Sequence, residues 1–252
     1  LMDLAGKLNA KFDGSQDYDL ILRLTEKAKC IFHIPKILYF WRAHSNSVAE
    51  NIGAKPYVIE AAHQALSEHL QRVGLNGKVL DTVVPSIYRI KYVIDGNPLV
   101  TILIPNCDHL YDLKKCIESI FSLTSYRNFE VIILENNSTE KEIFFFYREL
   151  QNKYKNVKVV KWKGKFNYSA INNFGYQHSS GEYIIFLNND TKIISNDWIQ
   201  EMLMFAQRDD VGAVGAKLYY PDNTIQHAGI AIGLLTLAGH LHRGFPKDHP
   251  GY

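Results

Sequence analysis

The sequence predicts an α/β protein: a mostly parallel sheet with helices on both faces, preceded by a smaller, mainly helical piece. Three observations predict it. From Leu99 onward, short apolar runs alternate with segments whose apolar residues recur every three to four positions. Each apolar run stops at a cluster of Pro, Asn, Asp or Glu. The first 96 residues show no such alternation. The chain therefore divides near residue 97, with an initial piece at 1–48, a helical connector at 49–96 and the alternating piece at 97–252.

In the first piece Asp17 to Lys29 reads as an amphipathic helix with Leu20, Ile21 and Leu24 on one side. Ile31 to Phe40 reads as a strand interrupted by Pro35. Past the polar Ser45-Asn46-Ser47, Pro56 opens a helix that Gly74 closes. Its expected buried stripe is Ile59, Ala62, Leu66, Leu70 and Val73, leaving His63 and His69 in solvent.

In the second piece Leu99 to Pro105 is the first strand. Asp108 is placed to cap a helix carrying Leu110, Leu113, Ile117, Ile120 and Phe121. Phe129 to Leu134 is the second strand, ending at Glu135-Asn136-Asn137-Ser138. Thr139 and Glu142 form a capping box for a helix with Ile143, Phe146, Tyr147 and Leu150 inside. Val157 to Trp162 is the third strand, Ser169 to His178 a short helix ended by Gly181, and Tyr183 to Leu187 the fourth strand. Ser195 is expected to cap a helix with Ile199, Met202, Leu203 and Ala206 inside, and Val211 to Leu218 to start a fifth strand. Right-handed crossovers leave few topologies for this order.

Composition excludes several function classes. Hydrophobic residues make up 46% and charged residues 21%, ample for a globular core. A formal charge of +2 supplies no field for nucleic acid. No run approaches the roughly 18 apolar residues that cross a bilayer. The opening Leu-Met-Asp-Leu-Ala-Gly-Lys has its basic and apolar regions in the wrong order for a signal peptide, and without an initiator Met it reads as the middle of something longer. Cys30, Cys107 and Cys116 are odd in number and lack a Cys-x-x-Cys pair, which fits reduced thiols in the cytosol. The first strand runs into Ile104-Pro105-Asn106-Cys107-Asp108 rather than Gly-x-Gly-x-x-Gly, and no Gly-Lys-Ser/Thr occurs, which disfavours dinucleotide dehydrogenases and P-loop enzymes.

The most informative segment is Ile184-Ile-Phe-Leu-Asn-Asn-Asp190, an apolar strand ending in two amides and a carboxylate. Ligands of α/β proteins gather at such strand ends. A carboxylate there can hold a divalent cation that carries a substrate's phosphates, or it can close a turn or cap the next helix.

With the strand ends laid out, the second piece resembles the family 2 glycosyltransferases of the GT-A fold, a Rossmann-like architecture. The resemblance rests on Pro98-Leu-Val-Thr-Ile-Leu-Ile-Pro105, Val131-Ile-Ile-Leu-Glu-Asn-Asn-Ser138, Phe166-Asn-Tyr-Ser-Ala-Ile-Asn-Asn-Phe-Gly175 and Phe186-Leu-Asn-Asn-Asp190. The run from Val211 to Gly229, with Gln226-His227-Ala-Gly229, is also similar to bacterial polysaccharide glycosyltransferases. The resemblance implies metal-assisted transfer of a sugar, with inversion, from a nucleoside-diphosphate-sugar to a polysaccharide, glycan or lipid-linked acceptor. It also implies a UDP- or dTDP-sugar donor, Mn2+ or Mg2+, and work in cell-envelope polysaccharide biosynthesis in the cytoplasm or at the inner face of the plasma membrane.

Asp190 then corresponds to the metal ligand, and Asn189 stands where a second acid is usual, which puts the tightness of the metal site in question. Glu135 and Asn136 sit where the family reads the base and ribose, or they end their strand and cap the next helix. Pro105 and Asn106 line the same edge. Asn172 and Asn173 face the diphosphate or cap their own helix, and Lys165 contacts the diphosphate or stays in solvent.

The first piece resembles a different part of the family, the acidic motif of the acceptor-side helix at Phe12-Asp-Gly-Ser-Gln-Asp-Tyr-Asp19 and the strand after it at His33 to Arg42. The resemblance makes Asp17 the general base, with Asp19 the lesser candidate, and the chain the tail of one module followed by the nucleotide half of another. Alternatives are a composite site in which the first piece completes the second, a catalytically incomplete nucleotide-binding or assembly fragment, and a nucleotidyltransferase. Pairing with a missing glycosyltransferase half is expected in the fragment case. His227, His240, His242 and His249 form a loose cluster for a ligand or acceptor, and Trp41, Trp162 and Trp198 are core residues or sugar platforms.

Overall fold

The computed structural model describes residues 1–40, 56–233 and 237–249. Trp41, Arg42 and the polar turn at 45–47 lie outside the described residues. The chain forms two compact units, Leu1–Val93 and Ile94–Tyr252.

The first unit contains α1 (Met2–Ala5), a 3-10 turn (Ala10–Phe12), α2 (Gln16–Thr25), α3 (Pro56–Arg72) and a hairpin of β1 (Gly77–Asp81) and β2 (Tyr88–Tyr92). The hairpin corrects the expectation of a wholly helical connector: Tyr88-Arg-Ile-Lys-Tyr92 alternates apolar and polar with a period of two, the pattern of a half-buried strand. α3 buries Ala61, Ala65, Leu66 and Leu70, while Val73 is exposed. His63 and His69 are not free in solvent. His63 Nε2 lies 3.1 Å from the Val79 carbonyl oxygen and its ring meets Tyr88 edge-on, and His69 Nδ1 lies 2.8 Å from Glu26 Oε1.

α2 is shorter than expected and turns a different face inward. Ile21 is 57% exposed, whereas Asp19 is fully buried. Arg23, one turn on, forms an ion pair with Asp19 at 2.7 Å and also donates to the carbonyls of Ala5 and Lys7. Arg23 compensates the buried charge through Oδ2, while Oδ1 has no partner among the described residues. Ile31 to Phe40 is not a strand. It has no ladder partner among the described residues, Pro35 lacks a donor, and Ile31, Phe32, Ile37, Leu38, Tyr39 and Phe40 are exposed.

The second unit begins with β3 (Val100–Asn106), α4 (Leu110–Leu123), β4 (Phe129–Asn136), α5 (Lys141–Lys153), β5 (Val157–Trp162), α6 (Tyr168–Gln177), β6 (Tyr183–Phe186) and α7 (Trp198–Ala206). The four strands are parallel in the order β5-β4-β3-β6. Successive strand residues point to opposite faces. Val100, Ile102, Ile104, Val131 and Ile133 therefore pack against α4, α5 and α7, while Leu103, Ile132 and Leu134 pack against Ile171 of α6. Strands buried on both faces explain why these runs are continuously apolar.

Beyond α7 the structure departs from expectation. Val211 to Leu218 does not join the parallel sheet. Only β7 (Leu218–Tyr219) is strand, paired antiparallel with β8 (Ile225–His227), and β9 (Ile230–Ile232) pairs with β10 (Ala238–His240). Ser195 does not cap α7, which starts at Trp198 with Asp197 in the cap position and no side-chain cap bond. The preceding segment is held against α4 by Ile193 N–H to Ser119 Oγ (2.9 Å) and against the loop after α4 by Ser125 N–H to the Asn196 carbonyl (2.8 Å), so helical geometry begins only afterwards.

One buried carboxylate ties the sheet's starting end together. Glu130 accepts from Thr101 Oγ1 (2.8 Å), Lys158 Nζ (2.8 Å) and Ser180 N–H (2.7 Å). Burial alone would raise its pKa, but the Lys158 bond and the two other donors outweigh that and hold it below the ordinary carboxylate value. A lowered folded-state pKa contributes stability above the unfolded pKa and loses it as pH falls through the folded one. Glu130→Gln should therefore lower stability by about 1 kcal/mol or more at neutral pH and flatten the acid limb of a urea-midpoint-against-pH curve. An unchanged acid limb would contradict this assignment.

Gly181 approaches the same corner: a Cβ there would lie 2.5 Å from Thr101 Oγ1 and 2.6 Å from Thr101 N. Backbone cannot swing aside as a side-chain tip can, so Gly181→Ala should cost about 1–3 kcal/mol in chemical denaturation.

Candidate donor site at the strand ends

After β3 the chain crosses outward to β4 and β5, then returns through α6 to lay β6 on the other side of β3. This reversal opens a crevice between the carboxyl ends of β3 and β6, the place where doubly wound sheets bind ligands. Past the last backbone bond of the ladder, a side-chain hydrogen bond joins the two strand ends there, from Asn189 Nδ2 to Asn106 Oδ1 at 2.7 Å.

Asn106 is buried and is the first member of a chain of polar contacts. Its Nδ2 donates to Tyr147 Oη (2.9 Å) and to the Asp108 carbonyl (2.8 Å). Tyr147, from α5, donates to Glu135 Oε2 at 2.7 Å. Glu135 also accepts Ser138 N–H (2.6 Å) and Ser138 Oγ–H (2.7 Å), and Asp108 N–H donates to Ser138 Oγ at 2.8 Å. Burial first, and then the Glu135 carboxylate, push the Tyr147 hydroxyl well above the usual phenol range, so it remains a donor.

Two capping expectations are corrected by this network. Asp108 does not cap its own helix: α4 starts after His109 without a side-chain cap bond. Its carboxylate instead accepts Thr139 N–H (2.8 Å) and Glu140 N–H (2.9 Å), ahead of α5. Those bonds, with Glu140 N–H the largest cause, hold the Asp108 carboxyl below the usual range. The Thr139–Glu142 capping box is correspondingly absent, since α5 carries Glu140 at its cap position with no side-chain cap bond. Asp108, His109 and Asn137 all adopt left-handed backbone conformations (φ 54°, 48° and 58°). Non-glycine residues held there cost energy and cluster at functional sites.

The expectation that Glu135 receives hydrogen bonds from a base meets this geometry directly. It is 2% exposed, and both its oxygens are committed to Ser138 and Tyr147. Asn136 is buried beside it, and Pro105 is half-buried. On α6 the two asparagines diverge. Asn172 is 4% exposed, donates to the Tyr168 carbonyl and has no partner for Oδ1 among the described residues, whereas Asn173 is exposed. Neither caps α6; that is done by Asn167, which accepts Ala170 N–H at 2.9 Å. Lys165 is exposed and offers its carbonyl to Trp162 Nε1 at 3.1 Å.

Asp190 is exposed in the turn after β6, with no hydrogen bond or ion pair among the described residues. Its charge, after burial as the larger cause, helps push the Cys116 thiol beneath it up to about 12. No cluster of three or more His, Cys, Asp or Glu side chains gathers to hold a metal among the described residues. A lone free carboxylate fits a cation that arrives already bound to phosphate oxygens and water.

The histidines separate into two groups. His227 Nδ1 and His240 Nδ1 are 2.9 Å apart, while His242 and His249 pack with Phe245. Trp162 and Trp198 both pack against apolar clusters, and Trp198 Nε1 donates to Thr124 Oγ1. Asp17 is exposed on the first turn of α2 and accepts Tyr18 N–H.

Tyr147 and Ser138 were not foreseen as site residues. The available signal was a tyrosine on the predicted buried stripe of α5, whose hydroxyl requires a partner. Tyr147→Phe should cost about 1–2 kcal/mol by denaturation. It should also raise amide exchange at Asn106 and Glu135 without altering far-UV circular dichroism. Unchanged exchange would remove Tyr147 from the network.

Residues 101–238, more than half of the chain, match the family described as Glycosyl transferase family 2. The chain is 44% identical to an uncharacterized protein of Sinorhizobium fredii, over 98% of this chain and 28% of that one. It is 40% identical to an O-antigen biosynthesis protein of Myxococcus xanthus, over 93% of this chain and 18% of that one. It thus spans less than a third of either relative. Among solved structures, a mannosyltransferase from Pyrobaculum calidifontis in complex with GDP-Man and Mn2+ aligns at 18% identity and a TM-score of 0.46, covering 52% of this chain and 39% of that one.

Proposed function

Because the chain belongs to glycosyl transferase family 2, we propose that its second unit is the donor-binding half of a metal-assisted, inverting glycosyltransferase. The sugar donor is a nucleoside-diphosphate-sugar, UDP- or dTDP-linked, and the acceptor a glycan or lipid-linked glycan of the bacterial surface, built on the cytoplasmic side. The name of the Myxococcus xanthus relative supports the polysaccharide setting. The first unit is proposed as the tail of a preceding module. The Sinorhizobium fredii relative aligns across both units, so their order recurs inside a longer protein. No helix among the described residues is long and apolar enough to cross a membrane.

The observation that carries this reading is the free carboxylate of Asp190 beside the Asn189–Asn106 bond at the switch point. Asp190 is the proposed ligand of Mn2+ or Mg2+, which when bound would neutralise charge developing on the leaving diphosphate. Asn189 spends its Nδ2 on Asn106 and keeps Oδ1 for the ribose or a metal-bound water. Pro105 and Asn106 bound the base edge, with Asn136 beside them. Glu135 acts as a positioning residue, holding Ser138 and Tyr147 so that the loops after β3 and β4 keep one shape. Lys165 and Asn173 stand exposed for diphosphate oxygens. Asp17 is the proposed general base of the preceding module's site, so Asp17 and Asp190 serve two different centres.

Calorimetric titration tests this. UDP or dTDP with Mn2+ should bind the chain, Asp190→Asn should weaken binding at least about tenfold, roughly 1.4 kcal/mol, and Asp17→Asn should leave it unchanged. Absence of binding by both nucleotides would overturn the donor reading. Equal losses in both variants would instead favour a single composite site.

A further inference from the structure

The first unit closes with a two-stranded sheet, β1 and β2, whose outer edges have no partner among the described residues. Strand alternation gives the hairpin two unlike faces. Val79, Tyr88, Ile90 and Tyr92 point inward and pack with Leu66 and Leu70 of α3. The other face carries Lys78, Leu80, Arg89 and Lys91, all exposed. The register sets Lys78 directly opposite Lys91, and like charges facing one another across a ladder destabilise it. Neither lysine side chain has a hydrogen bond or ion pair among the described residues, so no carboxylate there offsets the repulsion. The hairpin's one acid, Asp81, has the parity of the inward face, opposite Tyr88.

The turn that joins the strands is apolar where turns are ordinarily polar. It reads Thr82-Val-Val-Pro-Ser-Ile87, and no charged residue stands between Asp81 and Arg89. Val83 is 100% exposed, and Val84 and Ile87 are exposed beside it. The turn nonetheless has a defined shape. Thr82 Oγ1 lies 2.8 Å from the Ile87 carbonyl oxygen and 3.0 Å from that of Val84, and it accepts Val84 N–H at 3.2 Å. Ile87 N–H donates to the Val84 carbonyl at 3.2 Å. Several polar groups of the turn are thus spent on one another, which lowers the cost of taking it out of water.

We propose that this hairpin anchors the chain on an anionic lipid surface: Val83, Val84 and Ile87 enter the boundary of the acyl chains while Lys78, Arg89 and Lys91 meet the phosphate headgroups. The order of residues matches the order in which a bilayer presents its chemistry. Arg89 and Lys91 stand about 7 and 13 Å behind Ile87 along the strand, so a tip sunk about 5–10 Å leaves them at the headgroups. Anionic lipid over the outer face would also relieve the Lys78–Lys91 repulsion. The tip selects this partner. Lysines alone would serve to keep an exposed strand from pairing with another chain, and a soluble polyanion would leave Val83 in water. The anchor is independent of the donor reading above.

Co-sedimentation of the whole chain with vesicles tests it. Vesicles of phosphatidylglycerol and phosphatidylcholine in equal parts should carry the chain down, and phosphatidylcholine alone should bind it at least about tenfold more weakly. Lys78→Gln/Lys91→Gln should lower affinity for the anionic vesicles at least about tenfold. The same pair should hold or raise the urea midpoint, because the cross-strand repulsion is gone. Val83→Ser, at a position with no packing to lose, should lower affinity about threefold or more. Val83→Trp should be quenched by brominated acyl chains beyond the quenching of the unsubstituted chain. Absence of binding to the anionic vesicles overturns the proposal, as does binding that the lysine pair leaves unchanged. Binding that follows the lysines but shows neither Val83 effect is electrostatic adhesion alone and overturns the insertion of the tip.

Discussion

The hydrogen bond from Asn189 to Asn106 is the joint on which the strand-end geometry depends. Beyond the backbone ladder, it ties the turn after the last strand of the parallel sheet to the end of the first. Behind it stands an unbroken line of polar contacts through Tyr147, Glu135 and Ser138 to Asp108 and the start of α5. Such a line is stabilising only when each member is satisfied, because an unpaired buried donor or acceptor costs about 1–3 kcal/mol. The sequence thus spends six polar residues, Asn189, Asn106, Tyr147, Glu135, Ser138 and Asp108, to give three loops one shape. That leaves Asp190, next in the chain, exposed at a fixed position with its charge uncommitted.

The line also divides labour between two carboxylates that look alike in sequence. Glu135 and Asp190 each end an apolar strand beside asparagines. Glu135 is buried and saturated with donors, so it holds loops in place. Asp190 lacks protein partners and is open to solvent, so it is the one able to meet a cation. Solvent access and hydrogen-bond saturation, rather than residue type, separate an acid committed to holding loops from one whose carboxylate stays open to solvent.

The apolar runs that mark β3, β4, β5 and β6, and the helical spacing of α4 and α5, were legible because each is a local pattern contained within one element. The position of Asp190 after the fourth strand was legible for the same reason. The partners of Glu135 were not, since Ser138 is local but Tyr147 is supplied by tertiary packing. The capping assignments failed similarly: Asp108 is adjacent in sequence to α4, yet its carboxylate is taken by backbone N–H groups some thirty residues on. Ile31 to Phe40 and Val211 to Leu218 have the composition of strands, but composition cannot supply the neighbouring strand that a ladder requires. The hairpin of the first unit was missed because a period of two over five residues was read as part of a longer helical connector.

The two faces of the parallel sheet are covered unequally. Three helices and most of the large buried side chains lie on one face, whereas the other rests on α6, a ten-residue helix whose one large fully buried side chain is Ile171. Local opening free energies follow buried apolar contact. α6, with the loop from Lys165 to Asn167 that leads into it, therefore occupies a lower rung of the unfolding ladder than the β3–β4 loops. The strand-end crevice accordingly has one wall that behaves as a fixed jamb and one that behaves as a door.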